Sequence, residues 1–267
     1  MQGRSFGGFR LLIDKKHKFV FIYFQKTASK YVRRILEPLG GFGTAELYAK
    51  GVEGYIKDQK YMKSNNIIAD LSFDISDYFV FGVIRNPFEW YMSLYVYSKQ
   101  YQHLDEHSLF GHLPLMSFQQ FMDGILNCKE FFQTRSDRHR NDNCIRLFKV
   151  IREGKMDAGW LTYKYIYGYF LDWENIITNM TLEEFDKEHD TLLDTHMYPI
   201  ETLNKEMPNI LHILGVEDKI DKSFLTEFNV NSYNKERDFW YNEETTKKVL
   251  EKDSLVFSRY YKKELSK

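Results

Sequence analysis

Lys26, Thr27, Ser29 and Lys30 follow an almost unbroken apolar run in KFVFIYFQKTASKYVRRIL (18–36), and helical spacing begins directly after them. Where a buried strand turns into a helix, the first helical N–H groups have no carbonyl partner and the helix dipole adds positive potential. Such a turn, furnished with an ammonium and two hydroxyls, suits an anion such as phosphate or sulfate. A second segment repeats the plan. YFVFGVIRNPFEWYMSLYVY (78–97) is an apolar run that delivers Arg85, turns through Asn86-Pro87 and opens a helix carrying Ser93. An arginine grips two phosphate oxygens in a fork, and a serine about two turns into the helix supplies a further contact. Each segment also has a plainer reading: a solvated Lys26 with a Ser or Thr cap, and an Arg85 paired with a carboxylate while Ser93 faces a neighbouring helix. The first loop is not a Walker A loop, because GxxxxGK followed by Ser or Thr is absent.

The elements that must position these residues are short. The apolar runs FRLLI (9–13), KFVFIYF (18–24), NIIA (66–69) and DYFVFGVI (77–84) are rich in β-branched and aromatic residues and do not alternate cleanly. That pattern suits strands buried on both faces of a parallel sheet. SKYVRRILEPL places Tyr31, Val32, Ile35, Leu36 and Leu39 on one helical face, stopped by Pro38, Gly40 and Gly41, so strand, helix and strand form a right-handed βαβ crossover. Further helices follow Pro87 and span SFQQFMDGIL (117–126), where Ser117 is placed to cap. THMYPIE (195–201) and TLNKEMPNILHILG make a late strand–helix unit, and 242–265 a closing helix. The expectation is an α/β fold, a central parallel sheet flanked by helices, in one domain over 1–267. A mainly helical insertion lies at about 99–190.

Composition narrows the partners. Lysine plus arginine (37) nearly cancel aspartate plus glutamate (38) in 267 residues, for a net charge of −1. That balance gives no whole-chain attraction to nucleic acid or membrane, though a local basic pocket is compatible with it. A small-molecule partner and no metal are expected. Cys128 and Cys144 form neither a disulfide framework nor a paired zinc signature, and both are expected as buried thiols. The first residues lack a long apolar leader core, and no stretch approaches the roughly 18 apolar residues of a membrane helix, so a cytoplasmic protein is expected. His103, His107 and His112 have spacing compatible with a metal or with an acceptor cleft, in a segment that reads as loop. The glycines of LGGFGT (39–44) follow a helix rather than a strand and read as a helix stop. Lys235 and Arg237 read as a charged turn or as groups closing over a nucleotide. Trp160, Tyr163, Tyr165, Tyr167 and Trp173 read mainly as core, with stacking on an acceptor as the other use.

Together the two loops resemble those of sulfotransferases that use 3′-phosphoadenosine 5′-phosphosulfate (PAPS). In that family a strand–loop–helix of the form Pro-Lys-Ser/Thr-Gly-Thr/Gly-Thr/Ser binds the 5′-phosphosulfate, and RxPxxxxxS binds the 3′-phosphate. QKTASK (25–30) and RNPFEWYMS (85–93) match in order and in Arg-to-Ser spacing. SFQQFMDGIL is similar to the SFEEFLxW helix of carbohydrate-type members, whose late strand–helix unit also resembles 195–216. The resemblance implies a P-loop-like sulfotransferase fold, with Lys26, Thr27, Ala28, Ser29 and Lys30 at the phosphosulfate and Arg85 and Ser93 at the 3′-phosphate. Gln25, Ala28 and Lys30 depart from the family's proline, glycine and final hydroxyl. Alanine fits if its φ stays negative, and Lys30 either strengthens anion binding or shifts the phosphosulfate.

Sulfuryl transfer, like phosphoryl transfer, is driven mainly by positioning and by neutralising charge on the leaving oxygen. Lys26 is the candidate for that neutralisation. The acceptor hydroxyl needs a base. Related enzymes often carry a histidine in an HLPF segment before the arginine strand, and Asp70 of ADLSF stands at its place, as base or as a turn carboxylate. The acceptor class implied is a saccharide or small metabolite hydroxyl. A P-loop kinase or hydrolase and a non-catalytic nucleotide-binding module are the competing readings.

Overall fold

The computed structural model describes residues 10–39, 42–43, 68–71, 73–100, 116–133, 142–192, 195–225 and 237–264. β1 (Arg10–Asp14) and β2 (Phe19–Tyr23) form an antiparallel hairpin, with Ile13 opposite Val20 and Arg10 opposite Tyr23. This corrects the all-parallel expectation. Only residues 15–18 join the two strands, far too few for a crossover, which needs a dozen or more. Buried Asp14 tightens that turn, its Oδ1 accepting the N–H groups of Lys16 at 2.8 Å and His17 at 3.0 Å. Two-residue β3 (Phe42–Gly43) pairs antiparallel on the far side of β1.

The expected crossover runs from β2 through α1 (Ser29–Leu36) to β4 (Phe79–Ile84), which is parallel to β2. It does not run to a strand at 66–69. Residues Ile68–Asp70 form a 3₁₀ turn instead, and positions 66–67 lie outside the described residues. β5 (His196–Pro199) pairs parallel to β4, completing a five-stranded sheet in the order β3-β1-β2-β4-β5. The parallel strands β2, β4 and β5 therefore end on one edge, where ligands of α/β sheets bind.

Helices cover both faces. Phe19, Phe21, Phe81 and Val83 pack with Val32, Ile35 and Leu36 of α1 and with Leu203, Met207 and Ile210 of α9 (Leu203–Ile213). Fully burying such a side chain contributes about 1.5–3 kcal/mol. Their neighbours Val20, Ile22, Val80 and Ile84 point to the opposite face and a larger aromatic cluster. That cluster is built by α2 (Pro87–Gln100), α3 (Phe118–Leu126), α4 (Cys128–Gln133), α5 (Asp142–Glu153), α6 (Trp160–Tyr169), α7 (Trp173–Asn179) and α8 (Leu182–Leu192). The described part of the expected insertion is thus helical. Ser117 caps α3 in a reciprocal capping box with Gln120. Trp160, Tyr163, Tyr165, Tyr167 and Trp173 are all buried in this core, as is Cys128. The side chain of Cys144 lies outside the described residues.

After the short α10 (Arg237–Trp240), the closing helix is two helices, α11 (Glu243–Lys252) and α12 (Ser254–Tyr260), broken at Asp253. Among the described residues no helix is long and apolar enough to cross a membrane.

Candidate anion-binding site

Between β2 and α1 the chain makes a tight turn over Gln25–Ala28. Lys26 and Ala28 sit in the left-handed region, with φ of 68° and 59°, and Thr27 between them does not. The condition under which alanine would fit without strain, a negative φ, is therefore not met at Ala28. Alternation in the sign of φ along three residues is the pattern of a backbone nest, in which successive N–H groups turn toward one concavity. None of the N–H groups of Thr27, Ala28 and Lys30 donates to an acceptor among the described residues.

The two hydroxyls do a different job here from the one the sequence suggests. Thr27 Oγ1 and Ser29 Oγ both donate to the Phe24 carbonyl, at 2.9 and 2.5 Å, and both residues are buried. They close the turn from inside and leave its outer surface to backbone N–H groups and to Lys26. Lys30 stands exposed in the first turn of α1.

At the end of β4, Arg85 is buried and faces two ways. Its Nε and Nη2 donate to Glu89 Oε2 at 3.3 and 3.1 Å, and its Nη1 donates to the Lys26 carbonyl at 3.4 Å. One turn along, Trp90 Nε1 donates to the Gln25 carbonyl at 2.9 Å. Two adjacent carbonyls of the first loop are thus held by two side chains from the second segment. A hydrogen bond from a charged group such as Arg85 contributes about 1.5–3 kcal/mol and a neutral one such as that of Trp90 about 0.5–1.5 kcal/mol, together comparable to the cost of left-handed residues. Asn86 sets the start of α2, its Oδ1 accepting the Phe88 N–H at 3.0 Å, with Pro87 in the first helical position. Ser93 is buried, and its hydroxyl makes no side-chain hydrogen bond among the described residues.

Lys26 links the two loops a second time. Its Nζ lies 4.4 Å from the centroid of the Tyr97 ring, one turn beyond Ser93. Burial lowers the Lys26 pKa to about 8, and the nearby charges of Arg85 and Lys30 push in the same direction. A half-buried cation flanked by two others favours an incoming anion, which would restore its full charge. Glu201, two residues past the end of β5, is drawn into the same edge. Tyr261 Oη donates to its Oε2 at 2.8 Å, and partial burial, with Glu89 nearby, raises its pKa.

The structure therefore brings Lys26, Thr27, Ala28, Ser29, Lys30, Arg85 and Ser93 to one edge of the sheet. It adds Glu89, Trp90, Tyr97 and Glu201, which sequence reasoning missed. For Glu89 and Tyr97 the signal was present: counting in fours from Arg85 gives Glu89, Ser93 and Tyr97, one stripe of α2. Asp70 ends the 3₁₀ turn before β4, and its side chain lies outside the described residues. So do His103, His107, His112 and Lys235, and the side chain of Arg237, which opens α10. Among the described residues no group of three or more His, Cys, Asp or Glu is arranged to hold a metal.

Residues 9–155, more than half of the chain, match the model of a family described as the sulfotransferase family. The matched span contains both loops and the stripe on α2. No curated protein and no solved structure matches the chain.

Proposed function

For this chain, which belongs to the sulfotransferase family, we propose a reaction that moves a sulfuryl group from PAPS to a hydroxyl of a saccharide or small metabolite. The observation that supports it most is the bracing of two basic loops, at the ends of adjacent parallel strands, by Arg85 and Trp90. A ligand with two phosphate groups has a matching pair of receivers. In this P-loop-like arrangement the nest at Thr27–Lys30 and the Lys26 ammonium take the phosphosulfate end. Arg85 and Ser93 take the 3′-phosphate, the arginine already oriented by Glu89.

In the transfer, the bond between sulfur and the bridging oxygen breaks as a bond forms from sulfur to the acceptor oxygen. The acceptor proton passes to a base, the role given to Asp70 through its place in ADLSF. Lys26 meets the charge that grows on the bridging oxygen. This is stabilisation of a transition state by a group already in place, for which single donors are commonly worth about a hundredfold or more in rate. The released nucleotide is adenosine 3′,5′-bisphosphate. None of these roles calls for a metal.

The test is a thermal-shift comparison in metal-free buffer. Adenosine 3′,5′-bisphosphate should stabilise the protein by about 2.7 kcal/mol at a hundredfold excess over its Kd. AMP, ATP and adenosine 5′-phosphosulfate should do less. Arg85→Ala should erase most of the preference over AMP, a loss of roughly 1.5–3 kcal/mol. Equal stabilisation by AMP in the unaltered protein would sink the assignment of Arg85 and Ser93.

A further inference from the structure

Tyr97 follows Ser93 by four residues on α2, so the two share a face one turn apart. Lys26 reaches that face from the opposite loop and rests its ammonium 4.4 Å from the Tyr97 ring centroid. At this distance the negative face of the ring attracts the cation, most strongly where water is excluded. Tyr97 is half-buried, and the lysine beside it is half-buried as well. The other charged groups facing Lys26 are Arg85 at the end of β4 and Lys30 on α1, both cationic, with Glu89 of α2 engaged on Arg85. Among the described residues, the Tyr97 ring is a group seen against the ammonium that offsets these cations.

We propose that Tyr97 is a positioning residue that keeps Lys26 charged and aimed along the Ser93 face of α2, where the phosphosulfate and 3′-phosphate ends of the donor approach one another. The inference rests on the sulfotransferase reading for its catalytic consequence, but its physical content concerns Lys26 alone. An ammonium with no partner would sample the rotamers of a four-carbon stem and pay their entropy on each binding event. The aromatic face holds it without neutralising it, as a carboxylate would. Because the contact uses the ring and not the hydroxyl, phenylalanine should replace tyrosine and an aliphatic residue should not.

The experiment compares Tyr97→Phe and Tyr97→Leu with the unaltered chain, after checking that all three unfold at similar temperatures. Lys26 is titrated by NMR of ¹³C-methylated lysines, assigned with Lys26→Arg. In Tyr97→Leu its midpoint should fall by about 1 on the pH scale relative to the parent, a tenfold loss of charged lysine at fixed high pH. In Tyr97→Phe it should stay. Turnover with PAPS should fall about tenfold in Tyr97→Leu, with Kd for adenosine 3′,5′-bisphosphate changed less than about threefold, and recover in Tyr97→Phe. An unmoved Lys26 midpoint in Tyr97→Leu overturns the proposal, as does an equal loss in both variants. If the bisphosphate fails to bind the unaltered protein, the sulfotransferase reading falls and the lysine titration still decides the role of Tyr97. If Tyr97→Leu does not fold, Tyr97→Met carries the same comparison.

Discussion

Two helix N-termini in this molecule meet the same physical demand in opposite ways. At α6 the first N–H groups are accepted from within. Asp253 Oδ1 takes the Thr162 N–H at 3.0 Å and its hydroxyl at 2.7 Å, while Tyr91 Oη accepts the Leu161 N–H at 3.1 Å and donates to Asp253 Oδ2 at 2.8 Å. The capping position is Gly159, where a Cβ would come within 2.6 Å of the Asp253 carboxylate. Glycine gives up its own cap so that a carboxylate from 94 positions later can serve. At α1 the two hydroxyls at the capping end turn inward to Phe24, and the N–H groups of Thr27, Ala28 and Lys30 keep no acceptor among the described residues. The filled terminus is a structural joint between the insertion and the C-terminal helices. The open one, edged by Lys26, Lys30 and Arg85, has the makings of a receptor. An anion held at a helix start is therefore not by itself a sign of function; what separates the two is whether the protein supplies the anion.

The comparison breaks most visibly at Asp253. Asp253→Ala strands a buried N–H and two buried hydroxyls at about 1–3 kcal/mol apiece, so a stability loss above about 3 kcal/mol is expected in urea unfolding. Burial raises the carboxyl pKa to about 6. A folded-state value above the unfolded one means that its stabilisation is complete below the ordinary carboxylate range and is lost as pH climbs through about 6. Asp253→Asn should stay folded and abolish that slope between pH 4 and 6. If Asp253→Ala costs less than about 0.5 kcal/mol, α6 does not need its internal anion and the contrast with α1 loses its meaning.

Lys26 is the matching test at the open terminus. Lys26→Ala should lower kcat by about a hundredfold or more, with a smaller loss of affinity for adenosine 3′,5′-bisphosphate. The pH dependence has the same cause as that of Asp253, burial of a charge, but the pKa moves the other way. Here burial lowers the pKa, to about 8, and a bound anion raises it again, so binding takes up a proton when pH exceeds about 8. Calorimetry in two buffers of different ionisation heat should show uptake at pH 8.5, none at pH 6.5, and none at either in Lys26→Ala. Uptake that persists without Lys26 would move the coupled titration to another group.

What could be seen in the sequence follows from how local each cause is. Both loops, α1, α2, the capped α3 and the late β5–α9 unit show in short windows, because strand runs, caps and strand-to-helix turns are local chemistry. The β1–β2 hairpin was also legible, since residues 15–18 cannot make a crossover, but the apolar character of FRLLI outweighed that count. NIIA has strand composition, and its described residues turn instead. The break at Asp253 was hidden because its side-chain partners, Thr162 and Tyr91, are distant in sequence, while the spacing across 242–265 reads as one continuous helix. At the site, residue types gave the charges. The inward turn of Thr27 and Ser29 and the clasp of Arg85 and Trp90 on the Gln25 and Lys26 carbonyls depend on where β2 and β4 pair, which no window contains.

The smallest effect is the sharpest measure of how that clasp works. Ala28 has φ 59°, and Gly215, just past the end of α9, has φ 63° with open space where a side chain would begin. Gly215 ends its helix in a Schellman turn, the Val216 N–H donating to the Leu211 carbonyl at 3.0 Å. Gly215→Ala therefore reports the bare cost of alanine in this conformation. Left-handed backbone penalises it by about 1–2 kcal/mol, offset by about 0.5–1 kcal/mol from the greater freedom glycine loses on folding. The net should be a destabilisation of up to about 1.5 kcal/mol. Ala28→Gly should return a gain of the same size if the loop is simply strained. A smaller gain would mean that glycine lets the nest relax, with Arg85 and Trp90 holding it only as long as alanine keeps it stiff. Affinity for the bisphosphate would then fall as stability rose. A larger gain, with affinity unchanged, would show that Ala28 is strain without function, and would leave Lys26 and Arg85 to define the open terminus alone.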